Sequence, residues 1–178
     1  MAANRLPKLY VENARIVLKN FMGSKFGEGG ERTFSILLEE GNMYYLHMNG
    51  DKADFEPIDI QRLIDDGWKV REDKYYNRDD EYAEEHPKML LRDIKVRFKG
   101  DWRDPKIVMV REHDEVELGP EDLGLLDKNR IEDVTVSINP YVWFDKSNNP
   151  GGVSAYLENM RFTKSVDGFS AFMNRNRG

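Results

Sequence analysis

The chain has 178 residues, 39% of them hydrophobic and 34% charged, which predicts one soluble domain with a substantial core. No apolar run approaches the roughly 18 residues that a spanning helix needs, and MAANRLPKLYVENARIVLKN carries no charged-then-apolar leader, so the expected location is cytoplasmic with no membrane partner. The absence of cysteine excludes disulfides, a thiolate nucleophile and cysteine-based metal sites, while a net charge of −6 argues at first sight against a polyanionic ligand.

In chain order, NARIVLKNFMG alternates as a strand, SKFGEGGE supplies a polar, glycine-bearing tip, and RTFSILLEE resumes the extended pattern, which together predict a β-hairpin with a long loop. The tip resembles a phosphate cradle only superficially, because no Lys-Ser/Thr pair and no helix follow it. Lys25 and Phe26 in this tip are candidate nucleic-acid contacts; the alternative for Phe26 is folding back onto the sheet. Pro57 followed by IDIQRLIDDGW places Ile60, Leu63 and Ile64 at helical spacing, with Gly67 as a stop. DKYYNRDDEYAEEHP has little to bury and reads as a solvated acidic insertion at about residues 72–86.

MLLRDIKVRFKG reads as a strand with Ile94, Val96 and Phe98 inward and Lys95, Arg97 and Lys99 outward; GDWRDP is a turn that exposes Trp102, and KIVMV is a shorter strand. GPEDLGLLDKN predicts a short helix with proline at its start and acids in its first turn. VTVSINPYVWF puts Val134, Val136, Ile138, Val142 and Phe144 on one face of a strand, leaving Tyr141 and Trp143 on the other with Thr135, Ser137 and Asn139. The turn DKSNNPGG and a last strand, GVSAYLENMRFTK, complete a domain over residues 1–164, followed by a partly mobile tail at 165–178. Mostly strands with two short helices predict an all-β fold, a five-stranded OB-type barrel with added short helices and hairpin loops.

His47, His86 and His113 are scattered, no nucleotide-binding or nucleophile motif is present, and acidic runs such as RDDEYAEE read as solvated faces, so no enzyme, metal or cofactor is expected. Charge is distributed in blocks. Residues 51–85 hold 13 acidic and 6 basic side chains and residues 111–133 hold 9 and 3, whereas residues 86–106 hold 7 basic and 3 acidic, which permits a positive groove on an acidic body. The row Lys95, Arg97, Lys99, Arg103 and Lys106, with Trp102 beside it, either tracks a phosphate backbone or protects a sheet edge from aggregation. Aromatic rings interleaved with cations are what single-strand binding requires, and that use would make Tyr141 and Trp143 stacking platforms. Pro140 leaves a second option open, since a one-residue slip turns both rings into core.

Taken in order, F-x-G at Phe21 to Gly23, GERTFSILL at 30–38, LIDDGWKV at 63–70, VRFKG at 96–100, INPYVW and AYLENM resemble phage-encoded single-stranded DNA-binding proteins of the OB fold, over roughly residues 12 to 163. The resemblance implies a non-catalytic protein that coats single strands during phage DNA replication, recombination or repair, in the host cytoplasm. It places Trp68 and Lys69 on the segment leaving the helix, Phe98 and Lys99 on the central strand, and Tyr141 and Trp143 on the fourth main strand. Two departures stand out: GWKVR at 67–71 where GWNVK is usual, and an ending NRNRG where many such proteins carry an acidic, partner-recruiting tail. RNA as a second ligand, replication or recombination proteins as partners, and the oligomeric state are left open. The alternative is an acidic protein-interaction module that inhibits or recruits a host nucleic-acid enzyme, and a third reading is a metal-dependent nuclease built on one of the carboxylate clusters.

Overall fold

The longest alternating stretch forms the longest ladder. In the computed structural model, which describes residues 6–23, 30–73 and 87–164, β10 (Ile131–Phe144) turns back through residues 145–149 into β11 (Pro150–Lys164). The turn is held by Asp145, whose Oδ1 accepts from the amides of Ser147 (2.8 Å) and Asn149 (2.9 Å), the local closure that aspartate offers at a turn. Val134, Val136 and Ile138 are buried as their alternation predicts.

β10 pairs on its other side with β1 (Lys8–Val11), and the sheet continues through β4 (Met43–Asn49) to β5 (Lys52–Ile58). Beyond β11 lie β7 (Met89–Lys95), β3 (Thr33–Leu37) and β2 (Arg15–Asn20), the last two being the predicted hairpin. β6 (Val70–Glu72) adds to β7, and β8 (Lys106–Val110) with β9 (Glu115–Leu118) adds to β11. The result is all-β and OB-like, but the predicted barrel strand count of five is too low: among the described residues eleven strands form one open sheet, whose main path ends at β2 and β5. The shortfall comes from strands that do not alternate cleanly, such as the aromatic-rich MYYLHMN and the charged, proline-bearing KADFEPI.

One bulge organises the centre. Between Ser137 and Ile138 the β10–β11 register skips Glu158, so the buried set on β11 changes from Val153, Ala155 and Leu157 to Met160 and Phe162. The first half of β11 thereby meets β7 at Tyr156↔Lys95, and the second half runs beside β8.

The helix α1 (Ile60–Asp65) starts where Asp59 accepts from the Arg62 amide at 2.8 Å, buries Leu63, and ends at Gly67, whose φ of +92° suits glycine. Trp68 then turns into the core at 3% exposure; its Nε1 donates to the Tyr45 hydroxyl (2.8 Å), which donates to Asp66 (2.7 Å). The second predicted helix is a 3-10 turn (Pro120–Asp122) followed by α2 (Gly124–Lys128). Among the described residues no helix is long and apolar enough to cross a membrane. The hairpin tip at 24–29, residues 74–86 of the predicted acidic insertion, and the tail at 165–178 lie outside the described residues.

Two sequence expectations need correction. β7 ends at Lys95 rather than running on to Lys99, although Val96 stays buried and donates its amide to Arg32 O at 2.9 Å. Phe144, expected inward, is 42% exposed, because the ribbon shifts register between Trp143 and Phe144 as it projects past the core.

Candidate nucleic-acid interface

The outer face of β10, β11 and β7 is built by register. Tyr141 stands opposite Ser154, Trp143 opposite Gly152, and Asn139 opposite Tyr156, which is itself opposite Lys95. Cross-strand partners share a face, so Tyr141, Trp143, Tyr156 and Lys95 all point to the same side. Tyr141 is 61% exposed and Trp143 is 43% exposed, which removes the option of a slip into the core.

Trp143 has a specific seat. A Cβ built on Gly151 would lie 1.9 Å from Trp143 Cζ3, and one on Gly152 would lie 3.2 Å from Nε1. The indole therefore covers backbone that only glycine leaves bare, a cross-strand arrangement in which an aromatic ring shields glycine in a sheet. This fixes the ring while part of it remains open to solvent.

Two grooves flank these rings. A groove of about 370 Å³ is lined, among the described residues, by Arg97, Lys99, Arg103, Asn139, Pro140, Tyr141, Tyr156 and Leu157, three cations and two aromatics without a carboxylate. Another, of about 530 Å³, is lined by Lys69, Arg71, Arg92, Lys95 and Asp93 with Trp143, Gly151 and Gly152. Tyr156 joins them: Lys95 Nζ lies 5.4 Å and Arg97 Cζ 5.1 Å from its ring centroid, within cation–π range. Glu31 reaches into this junction, bonding Arg97 at 2.9 Å and approaching Lys95 at 3.7 Å, and its carboxylate holds the Arg97 guanidinium above its ordinary pKa. In the larger groove Lys69 pairs with Asp93, while the solvent-shielded Nε of Arg92 has no hydrogen-bond partner.

The structure thus brings Tyr141, Trp143, Lys95, Arg97, Lys99 and Arg103 together. Trp102 is 90% exposed in the adjoining turn, with Arg103 Cζ 5.7 Å from its ring, but lines neither groove. That turn is fixed by Asp104, whose Oδ1 accepts from the amides of Lys99 (2.6 Å) and Gly100 (3.1 Å). Lys106 is set apart, exposed at the start of β8 and lining neither groove, because the 101–104 turn separates its strand from the row. Lys25 and Phe26 lie outside the described residues.

Sequence reasoning missed Tyr156, Arg71, Arg92 and Glu31 as members of this surface. Only Tyr156 had a signal, the alternation of Gly152, Ser154 and Tyr156 against buried Val153, Ala155 and Leu157.

A model of the family described as "Putative phage ssDNA-binding domain" matches residues 1–171. The chain belongs to this family. The match contains every residue of both grooves. Among solved structures, the single-stranded DNA-binding protein from bacteriophage Enc34 in complex with ssDNA is 14% identical at a TM-score of 0.49, covering 92% of this chain and 89% of that one. A C-terminal truncation of the Enc34 protein is 13% identical at a TM-score of 0.47, covering 90% and 87%. No curated protein matches the chain.

Proposed function

We propose that this phage-family protein binds single-stranded DNA across the outer face of β7, β11 and β10, without catalysis. Bases stack on Tyr141, Trp143 and Tyr156, and phosphates are neutralised by Lys95, Arg97, Lys99 and Arg103, with Lys69 and Arg92 extending the track. The observation that carries this reading is the smaller groove, where three cations and two tyrosines meet with no carboxylate among the described residues of the wall. Each stacked base contributes roughly 1–3 kcal/mol and is accepted whatever its identity, since every base has a π-face. Sequence tolerance follows. The role is coating of single strands exposed in phage DNA replication, recombination or repair, in the host cytoplasm, by a single domain spanning residues 1–164.

The test is a fluorescence titration with poly-dT of the wild-type chain and of a Tyr141→Ala, Trp143→Ala double variant. Affinity is expected to fall by about 2–4 kcal/mol with thermal stability retained, because both rings are substantially exposed. Unchanged affinity removes the pair from the site.

A further inference from the structure

Among the described residues, Glu31 is the one carboxylate that reaches the cations around Tyr156. Its two oxygens divide between Arg97 Nη2 (2.9 Å) and Lys95 Nζ (3.7 Å), and both cations sit against the Tyr156 ring, at 5.1 and 5.4 Å from its centroid. An anion bridging a guanidinium and an ammonium beside a stacking ring has the charge, and the spread of acceptor oxygens, that a phosphate presents. The neighbouring residue is anchored: Arg32 donates its side-chain Nη1 to Phe21 O and Pro120 O, both at 3.0 Å, and accepts the Val96 amide at its backbone carbonyl (2.9 Å). Glu31 therefore enters the junction two residues before β3 begins, with its side chain 40% exposed.

We infer that Glu31 occupies the phosphate position at the Arg97–Lys95 junction in the free protein and is displaced when single-stranded DNA binds, so that it is a built-in competitor that sets affinity. This rests on the reading of the surface given above. The swap exchanges one anion for another on the same two cations, so the protein forgoes part of the gain from that phosphate. The Glu31 pairs are solvent-exposed and screened by salt, so the competition is strongest at low ionic strength.

The experiment compares the full-length wild type, Glu31→Gln and Glu158→Gln in poly-dT titrations from low to moderate salt. Glu158 is the control because it removes the same charge from β11 close to Tyr156 while its carboxylate holds Lys8 (2.5 Å) rather than the junction cations. Glu31→Gln is expected to bind roughly threefold tighter at low salt, the scale of one or two exposed ion pairs, with the advantage shrinking as salt rises. The same change in an Arg97→Gln background is expected to gain less, since the freed partner is gone. Three results overturn the inference: weaker binding by Glu31→Gln, which makes Glu31 an organiser of Arg97; unchanged binding; or an equal gain from Glu158→Gln, which makes the effect one of net charge. Failure of the wild type itself to bind poly-dT sinks the reading of the surface instead, so the two are separable.

Discussion

The outer face of this sheet carries two aromatic clusters, and they differ in what surrounds them. At one end Tyr141, Trp143 and Tyr156 stand among Lys95, Arg97, Lys99 and Arg103. Across β1, β4 and β5, Tyr10, Tyr44 and Phe55 pack on one another instead, with Tyr10 and Phe55 edge to face at 5.1 Å and Tyr44 and Phe55 at 6.2 Å and 89°. There the ring faces are occupied by neighbouring ring edges, the arrangement that the aromatic quadrupole favours. Burial and then the Glu12 carboxylate raise the Tyr10 hydroxyl pKa, and Lys8 on the same face of β1 is held by Glu158. On the proposed reading, exposure alone does not make an aromatic a base platform. The second cluster includes Phe55 at 49% exposure, yet among the described residues its three rings line neither of the two cationic grooves. What distinguishes the first is cations set at cross-strand distance.

Breaking the comparison most sharply means truncating one ring in each cluster. Tyr156→Ala is expected to weaken poly-dT binding by about 1–3 kcal/mol, since it removes the ring that joins the two grooves. Phe55→Ala should leave affinity within a factor of about two and cost roughly 0.5–1.5 kcal/mol of stability in chemical denaturation, the worth of its ring contacts. Equal losses of affinity from the two changes would erase the distinction.

A subtler change leaves every aromatic in place. Gly151→Ala puts a methyl where the Trp143 ring now lies, so the indole must leave its seat. Affinity is expected to fall by about 1 kcal/mol, the scale of a side chain forced off its preferred rotamer, with a change in the emission of Trp143. Smaller again is the loss of a single cation. With the six cations of the proposed track each on a phosphate, log affinity should fall with log salt with a slope of about −4, and Lys99→Gln should flatten that slope by about 0.7.

A separate effect lies beneath the face and concerns stability alone. Burial first, and then its hydrogen bond to Asp66, raise the Tyr45 hydroxyl pKa well above the ordinary tyrosine value. A group whose pKa is raised on folding contributes stability that is complete below its unfolded pKa of about 10 and is lost as pH rises beyond it. Denaturation midpoints should thus fall above about pH 10, with a shallower alkaline decline in Tyr45→Phe. At neutral pH that variant is less stable by about 1–3 kcal/mol, because Trp68 Nε1 and Asp66 lose their shared partner.

How much of this was legible in the sequence follows the regularity of each strand. Residues 134–143 keep a strict period of two, so the outward direction of Tyr141 and Trp143 can be read directly. Tyr156 sits just before the bulge at Glu158, where the period of β11 breaks, and the mixed pattern of GVSAYLENMRFTK hides it. The basic row was visible from Lys95 to Arg103, but Lys106 belongs to another strand beyond a turn that composition does not resolve. Trp68 illustrates the limit: the turn at Gly67 decides that this tryptophan enters the core, and no spacing rule fixes that direction. Glu31 and Arg92 depend on contacts between strands far apart in the chain and left no local signal.

The most direct test of the central claim is photo-crosslinking of the wild-type protein to an oligo-dT carrying 5-iodouracil, with adducts mapped by mass spectrometry. Adducts are expected at Tyr141, Trp143 and Tyr156. Adducts concentrated instead at Tyr10, Tyr44 and Phe55 would contradict it.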